Sequence, residues 1–128
     1  MDLSHSLRQL LRRWGRGEVD ERAVHRCAEG LWEELGVVPE YPRQDPRSIP
    51  VEVLSHLEIL DQQLVLPEDI PEILAFLDAP RGKELEAWSR WELYWDTRDY
   101  DERLERLKDN PHYSKLSVKR EREPERVH

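Results

Sequence analysis

Apolar residues recur at helical spacing from the first turn of the chain. Leu3, Leu7, Leu10, Leu11 and Trp14 make one stripe, and Gly15-Arg16-Gly17 stops it. A second helix is predicted from about Val19 to Leu35. Asp20 lies near its start, Val24, Cys27, Ala28, Leu31 and Leu35 share a face, and Gly36 ends it. The stretch 37–50 then holds Pro39, Pro42, Pro46 and Pro50. Prolines at this density remove backbone donors and disfavour helix, so an extended connector laid over the body is expected. Pro50 suits the first turn of a third helix, which carries Val53, Leu54, Leu57, Leu60 and Leu64 and ends before Pro67.

Asp69-Ile70-Pro71-Glu72 has the D-x-x-E form of a capping box, followed by Ile73, Leu74 and Leu77 in register with Ile70. Pro80-Arg81-Gly82 breaks that pattern, and Leu85, Trp88, Trp91 and Trp95 line a fifth helix. Asp99 to Glu102 repeats the cap ahead of Tyr100, Leu104 and Leu107, and Asn110-Pro111 closes a sixth helix. The two caps share local physics, but the helices they start are not repeats of one sequence. No strand-like alternation of convincing length occurs, although residues 113–118 could extend as a short arm. The expected fold is all-α: a compact irregular bundle of about six short helices with a Pro-rich connector. Residues 1–117 are expected to form one helical domain and residues 118–128, which include Lys119-Arg120-Glu121-Arg122-Glu123, a charged tail.

Composition narrows the function classes. At 128 residues the chain fits a single domain, and 38% charged residues against 38% apolar ones leave no segment that could span a membrane. Five Trp and four Tyr, with the periodicity above, argue against disorder over residues 3–109. Met1-Asp2-Leu3-Ser4-His5 lacks a basic leader, and a single cysteine, Cys27, cannot form an internal disulfide or a multi-thiolate metal site. A cytoplasmic location is the expectation.

The net charge of -8 repels nucleic acid and anionic membranes and favours basic protein partners. Its distribution is uneven. Residues 51–80 hold seven acids (Glu52, Glu58, Asp61, Glu68, Asp69, Glu72, Asp78) and no Lys or Arg. Asp69, Glu72, Asp99 and Glu102 are accounted for as caps and first-turn acids. Glu52, Glu58, Asp61 and Asp78 have no basic neighbour within that segment, a one-sign field expected where an oppositely charged partner docks.

Few residues nominate catalysis. Glu52 and His56, four apart on one helix, are half of a metal site at most, and His5, His25, His112 and His128 are scattered. No metal and no cofactor are expected. Cys27 falls on an apolar stripe, where a thiol acts as a small buried hydrophobe. There is no Gly-rich phosphate loop and no G-x-S-x-G, so the chain does not read as an enzyme. Trp88, Trp91 and Trp95 at i, i+3, i+7 are expected to fill the core against Leu74, Leu77, Leu104 and Leu107, which leaves Tyr94 and Arg90 off the stripe as contact candidates.

The segment Arg47-Ser48-Ile49-Pro50-Val51-Glu52-Val53-Leu54, continuing through Leu57-Glu58-Ile59-Leu60 to Pro67-Glu68-Asp69-Ile70-Pro71, with the later Trp91-Glu92-Leu93-Tyr94-Trp95, resembles small bacterial immunity proteins of polymorphic-toxin or bacteriocin type. The resemblance spans residues 44–113 and is one of texture, helix-start prolines, acids and tryptophans, rather than of a diagnostic motif. It implies one-to-one capture of a cognate toxin domain. A nuclease toxin must attract phosphate and is basic, so an acidic inhibitor would associate fast and a few aromatic anchors would slow release. The contact residues expected on this reading are Glu52, Glu58, Asp61, Glu68, Asp78, Tyr94 and Tyr100. The alternative is a helical adaptor or a self-associating module, whose mark would be a homodimer or larger oligomer that buries the tryptophan stripe. An enzyme with a site unreadable from sequence is the third class.

Overall fold

A computed structural model describes residues 2–113, and among these there are seven α-helices and no strand. In order they are α1 (Leu3–Gly15), α2 (Glu21–Leu35), α3 (Ser48–Glu58), α4 (Leu60–Gln63), a 3-10 turn (Pro67–Asp69), α5 (Ile70–Leu77), α6 (Glu84–Asp96) and α7 (Tyr100–Leu107). The all-α expectation holds. The proposed arm beyond Tyr113 and the charged tail lie outside the described residues.

Caps start three of these helices as the local sequence requires. The Asp2 carboxylate accepts from Ser4 N at 3.1 Å, Asp20 from Ala23 N at 2.9 Å and Asp99 from Glu102 N at 3.0 Å. Gly36 ends α2 at φ 64, a conformation that an L side chain resists. The connector carries no helix until Ser48. It is held to α6 by Arg43, whose guanidinium lies 4.7 Å from the Trp88 ring centroid and pairs with Glu92. The Ser48 hydroxyl joins the same seam, donating to Arg43 O at 3.2 Å and accepting from Trp88 Nε1 at 3.0 Å.

The continuous third helix expected through Leu64 breaks at Ile59 (φ -119, ψ 41), giving α3 and the single-turn α4, after which Leu64 turns left-handed at φ 53. Side chains from distant segments satisfy the carbonyls of this break. His25 bonds Glu58 O at 2.9 Å, Arg103 donates to Leu64 O at 3.0 Å, and the Tyr113 hydroxyl donates to Val65 O at 2.7 Å. The helical continuation is traded for tertiary hydrogen bonds, which local periodicity does not encode.

The core runs through all these elements. Helix α1 packs on α5 and α2 lies along α3, and Leu7, Leu11, Trp14, Val24, Ala28, Ile70 and Ile73 are buried in one core cluster. Trp88, Trp91 and Trp95 are buried in one chain, as expected for a core stripe. Their aromatic partners are Phe76, stacked on Trp91 at 4.4 Å with 14° between planes, and His56, 5.0 Å from Trp91 and 5.1 Å from Trp95. Leu77 is buried, while Leu74, Leu104 and Leu107 only flank the same core. Three positions depart from their predicted faces: Cys27, Leu35 and Leu85 are exposed. The buried stripe of α2 narrows to Val24 and Ala28, with Leu31 only partly buried against the core.

Candidate functional site

Tertiary packing divides the acidic stretch 51–80 into carboxylates that are paired within the molecule and carboxylates that are not. Asp69 is the extreme case of the first kind. In place of the expected cap on α5, it is 0% exposed and makes no cap bond to that helix. Its Oδ2 accepts from Leu66 N at 2.8 Å and from Arg103 Nη1 at 2.8 Å, and its Oδ1 accepts from Arg103 Nη2 at 2.7 Å and from the Tyr94 hydroxyl. Arg103 is 2% exposed. Burial opposes its charge, yet the bidentate Asp69 contact more than offsets this and raises its pKa further. Burial and the Asp69 carboxylate together push the Tyr94 phenol up to about 12.

Other arginines from outside the segment meet the remaining acids around α5. Arg8 binds Asp78 at 2.7 Å, Arg90 binds Glu72 at 2.8 Å, and Arg106 pairs with Glu68. Three of the predicted contact residues are therefore committed elsewhere. Glu68 and Tyr94 surround the Asp69–Arg103 pair, and Asp78 is held by α1. Tyr100 is half-buried near the same pair, and burial raises its pKa. The expectation that Asp78 stands uncompensated is corrected by Arg8, a neighbour 70 residues away in sequence. Arg90, expected as an exposed contact, is already bidentate on Glu72.

Glu52 turns inward. Its Oε2 accepts from Trp91 Nε1 at 3.0 Å and lies 3.3 Å from His56 Nε2, and its Oε1 meets the Ser55 hydroxyl at 3.5 Å. Burial pushes this carboxyl up, but the His56 and Trp91 hydrogen bonds outweigh it and hold the pKa below the usual glutamate value. The i, i+4 pair read from the sequence exists, and it fixes the tryptophan stripe against α3. On the far side of the ring, the buried His56 Nδ1 and the buried Trp95 Nε1 have no hydrogen-bond partner.

Glu58 and Asp61 remain as a different kind of group. They flank the α3–α4 break, where His25 reaches across from α2. Asp61 Oδ1 lies 3.7 Å and Glu29 Oε2 3.9 Å from His25 Nε2, the nitrogen that also bonds Glu58 O. Glu33 lies one turn beyond Glu29 along the same helix face. Among the described residues, no Lys or Arg ion pair reaches Glu29, Glu33, Glu58 or Asp61. The sequence analysis names Glu58 and Asp61 as contact residues and does not single out His25, Glu29 and Glu33. Those three lie on another helix and carry no local signal except an i, i+4, i+8 spacing.

Elsewhere, an apolar cleft of about 300 Å³ between α5 and α6 is floored by Phe76 and Trp91 and rimmed by Glu72, Lys83, Glu86 and Arg90. Among the described residues, no group of three or more His, Cys, Asp or Glu is placed to hold a metal ion, and no helix is long and apolar enough to cross a membrane. Comparison of the chain with protein families, curated proteins and solved structures finds no match.

Proposed function

We propose that this chain is an immunity protein that captures a basic toxin domain through the acidic face shared by α2, α3 and α4. The supporting observation is that the Glu29 and Asp61 carboxylates lie beside His25, which bonds the Glu58 backbone carbonyl, and that among the described residues no Lys or Arg pairs with Glu29, Glu58 or Asp61. These acids belong to a body more acidic than the whole: the last 15 residues carry +2 of the total -8, so residues 1–113 carry -10. Carboxylates kept out of internal ion pairs retain their field, which steers an oppositely charged partner and speeds encounter. Such an inhibitor needs no catalytic group of its own. A nuclease domain is the favoured target, because a phosphate-binding surface supplies the complementary charge.

The rival self-associating module loses its main surface, since the three indoles are already buried within one chain. The test starts from a tagged full-length chain used to capture partners at low and high salt. A basic domain released by salt is expected, and co-expression of the chain should relieve that domain's growth inhibition. Glu58→Lys together with Asp61→Lys should slow association by about tenfold and flatten its salt dependence. An unchanged on-rate would overturn the assigned face, and failure to relieve growth inhibition would overturn the immunity reading.

A further inference from the structure

His25 and His112 are 87 residues apart and meet ring to ring, with His25 Nδ1 and His112 Nε2 separated by 3.0 Å and the planes at 81°. The surroundings dictate where the protons sit. Glu58 O can only accept, so His25 Nε2 carries a hydrogen and donates to it. In a neutral ring the other nitrogen is then a bare acceptor, so His112 Nε2 must donate to His25 Nδ1. His112 belongs to the turn at residues 110–113. That turn is tied to α2 a second time by Asn110 Nδ2, which donates to Glu21 Oε1 at 3.1 Å, while Asn110 Oδ1 accepts from His112 N at 2.9 Å. A hollow of about 310 Å³ lined by Asp20, Glu21, Arg22, Asn110 and His112 lies beside the ring.

We propose that His25 and His112 form a proton-operated clasp that fastens residues 110–113 onto α2 while the pair holds at most one extra proton, and opens when both rings are charged. One extra proton is accommodated. If His112 Nδ1 takes it, the bond between the rings is unchanged. If His25 takes it, the new cation faces Asp61 at 3.7 Å and Glu29 at 3.9 Å, and the inter-ring bond reverses direction. A second proton leaves no acceptor between the rings: two N–H groups and two like charges confront each other across 3.0 Å. The charged groups facing the pair are Glu21, Arg22 and Glu29 from α2 and Asp61 from α4, with the Glu58 carbonyl from α3. Burial and then the proximity of His25 hold His112 below its ordinary value of 6.5, Arg22 adds to this, and Asp61 and Glu21 oppose it.

A released His112 binds a proton that the clasped one refuses, so acid favours opening below about pH 6.5, and the clasp is indifferent to pH above that. The clasp is a property of the free chain and does not rest on toxin binding. The test is a pH titration of the full-length chain by NMR. Ring nitrogen shifts would report the tautomers, and amide exchange at His112 and Tyr113, corrected for intrinsic rates, would report opening. Both rings should be Nε2–H tautomers at about pH 7.5. Opening should rise about tenfold per pH unit between the released and clasped values of His112. Amides of Leu54 and Leu57 should not follow it.

His112→Gln keeps a donor toward His25 Nδ1 without a titrating ring, so its turn should stay closed in acid. If that variant does not dock, His25→Gln serves, because its amide can donate to Glu58 O and accept from His112. Two rings titrating independently at ordinary values with no change at residues 110–113, or a docked glutamine variant that opens like the wild type, would overturn the clasp.

Discussion

Asp69 and Asp61 lie eight residues apart in the same acidic stretch, yet the molecule treats them in opposite ways. Asp69 is sealed from solvent, bidentate with Arg103 and bonded by Tyr94 and Leu66 N. Asp61 stands half-exposed at the α3–α4 break, where its Oδ1 accepts from Gln62 N at 3.0 Å and lies 3.7 Å from the His25 imidazole. A buried carboxylate is tolerable only when its partner and its hydrogen bonds are complete. A surface carboxylate can remain unpaired at little expense in stability. The contrast separates acids that fix the fold from acids that have no Lys or Arg partner among the described residues. The first kind holds the 3-10 turn and α5 against α7, and the second kind faces outward from α2, α3 and α4.

The sharpest way to break the comparison is Asp69→Asn, which strands the Arg103 guanidinium in a buried site. A loss of about 3–5 kcal/mol in unfolding free energy is expected. Chemical denaturation measures it, and a double-mutant cycle with Arg103→Met should show a coupling of at least about 1 kcal/mol. A single-variant loss below about 1 kcal/mol would place Asp69 with the ordinary surface ion pairs.

Glu52 falls between the two kinds, half-buried and bonded to an indole and an imidazole. Glu52→Gln exchanges charge-assisted bonds for neutral ones and should lower stability at neutral pH by about 1–2 kcal/mol. Because the folded carboxyl titrates below its ordinary value of 4.5, its stabilisation is present above that pH and is lost as the pH falls through the lower folded value. The glutamine variant should therefore approach the wild type in acid. Denaturation curves at neutral pH and through an acid series below pH 4.5 check this, and a gap that does not narrow as the pH falls would contradict it.

How much of the molecule is legible in its sequence depends on the range of the interaction. The caps at Asp20 and Asp99 and the proline-rich connector are local effects, and the i, i+3, i+7 spacing of Trp88, Trp91 and Trp95 marks one face of one helix, so spacing alone displays them. It does not display the break at Ile59, because what stabilises it arrives as His25, Arg103 and Tyr113 from elsewhere. Asp69 misleads in part for the same reason: D-x-x-E is a real capping signal, but its carboxylate turns back to Leu66 N and across to Arg103, 34 residues on, and does not cap α5. Charge compensation is likewise a tertiary property. The stretch 51–80 contains no Lys or Arg, and its acids around α5 are still met by Arg8, Arg90, Arg103 and Arg106. Among the described residues no Lys or Arg pairs with Glu58 or Asp61, so for these two the structure leaves the picture drawn from the sequence unchanged.

The smallest expected effect tests the other side of the comparison. Glu58→Lys with Asp61→Lys, measured on the free chain, removes no Lys or Arg ion pair among the described residues and no fully buried carboxylate. Its unfolding free energy should stay within about 0.5 kcal/mol of the wild type. Reversing these charges also relieves repulsion within a body of net charge -10, which opposes the loss of the Asp61 contact with His25. Thermal and chemical unfolding at neutral pH measure the balance. A loss approaching that of Asp69→Asn would make the α2–α3–α4 face part of the scaffold, and its acids could then no longer be counted as held in reserve for a basic partner.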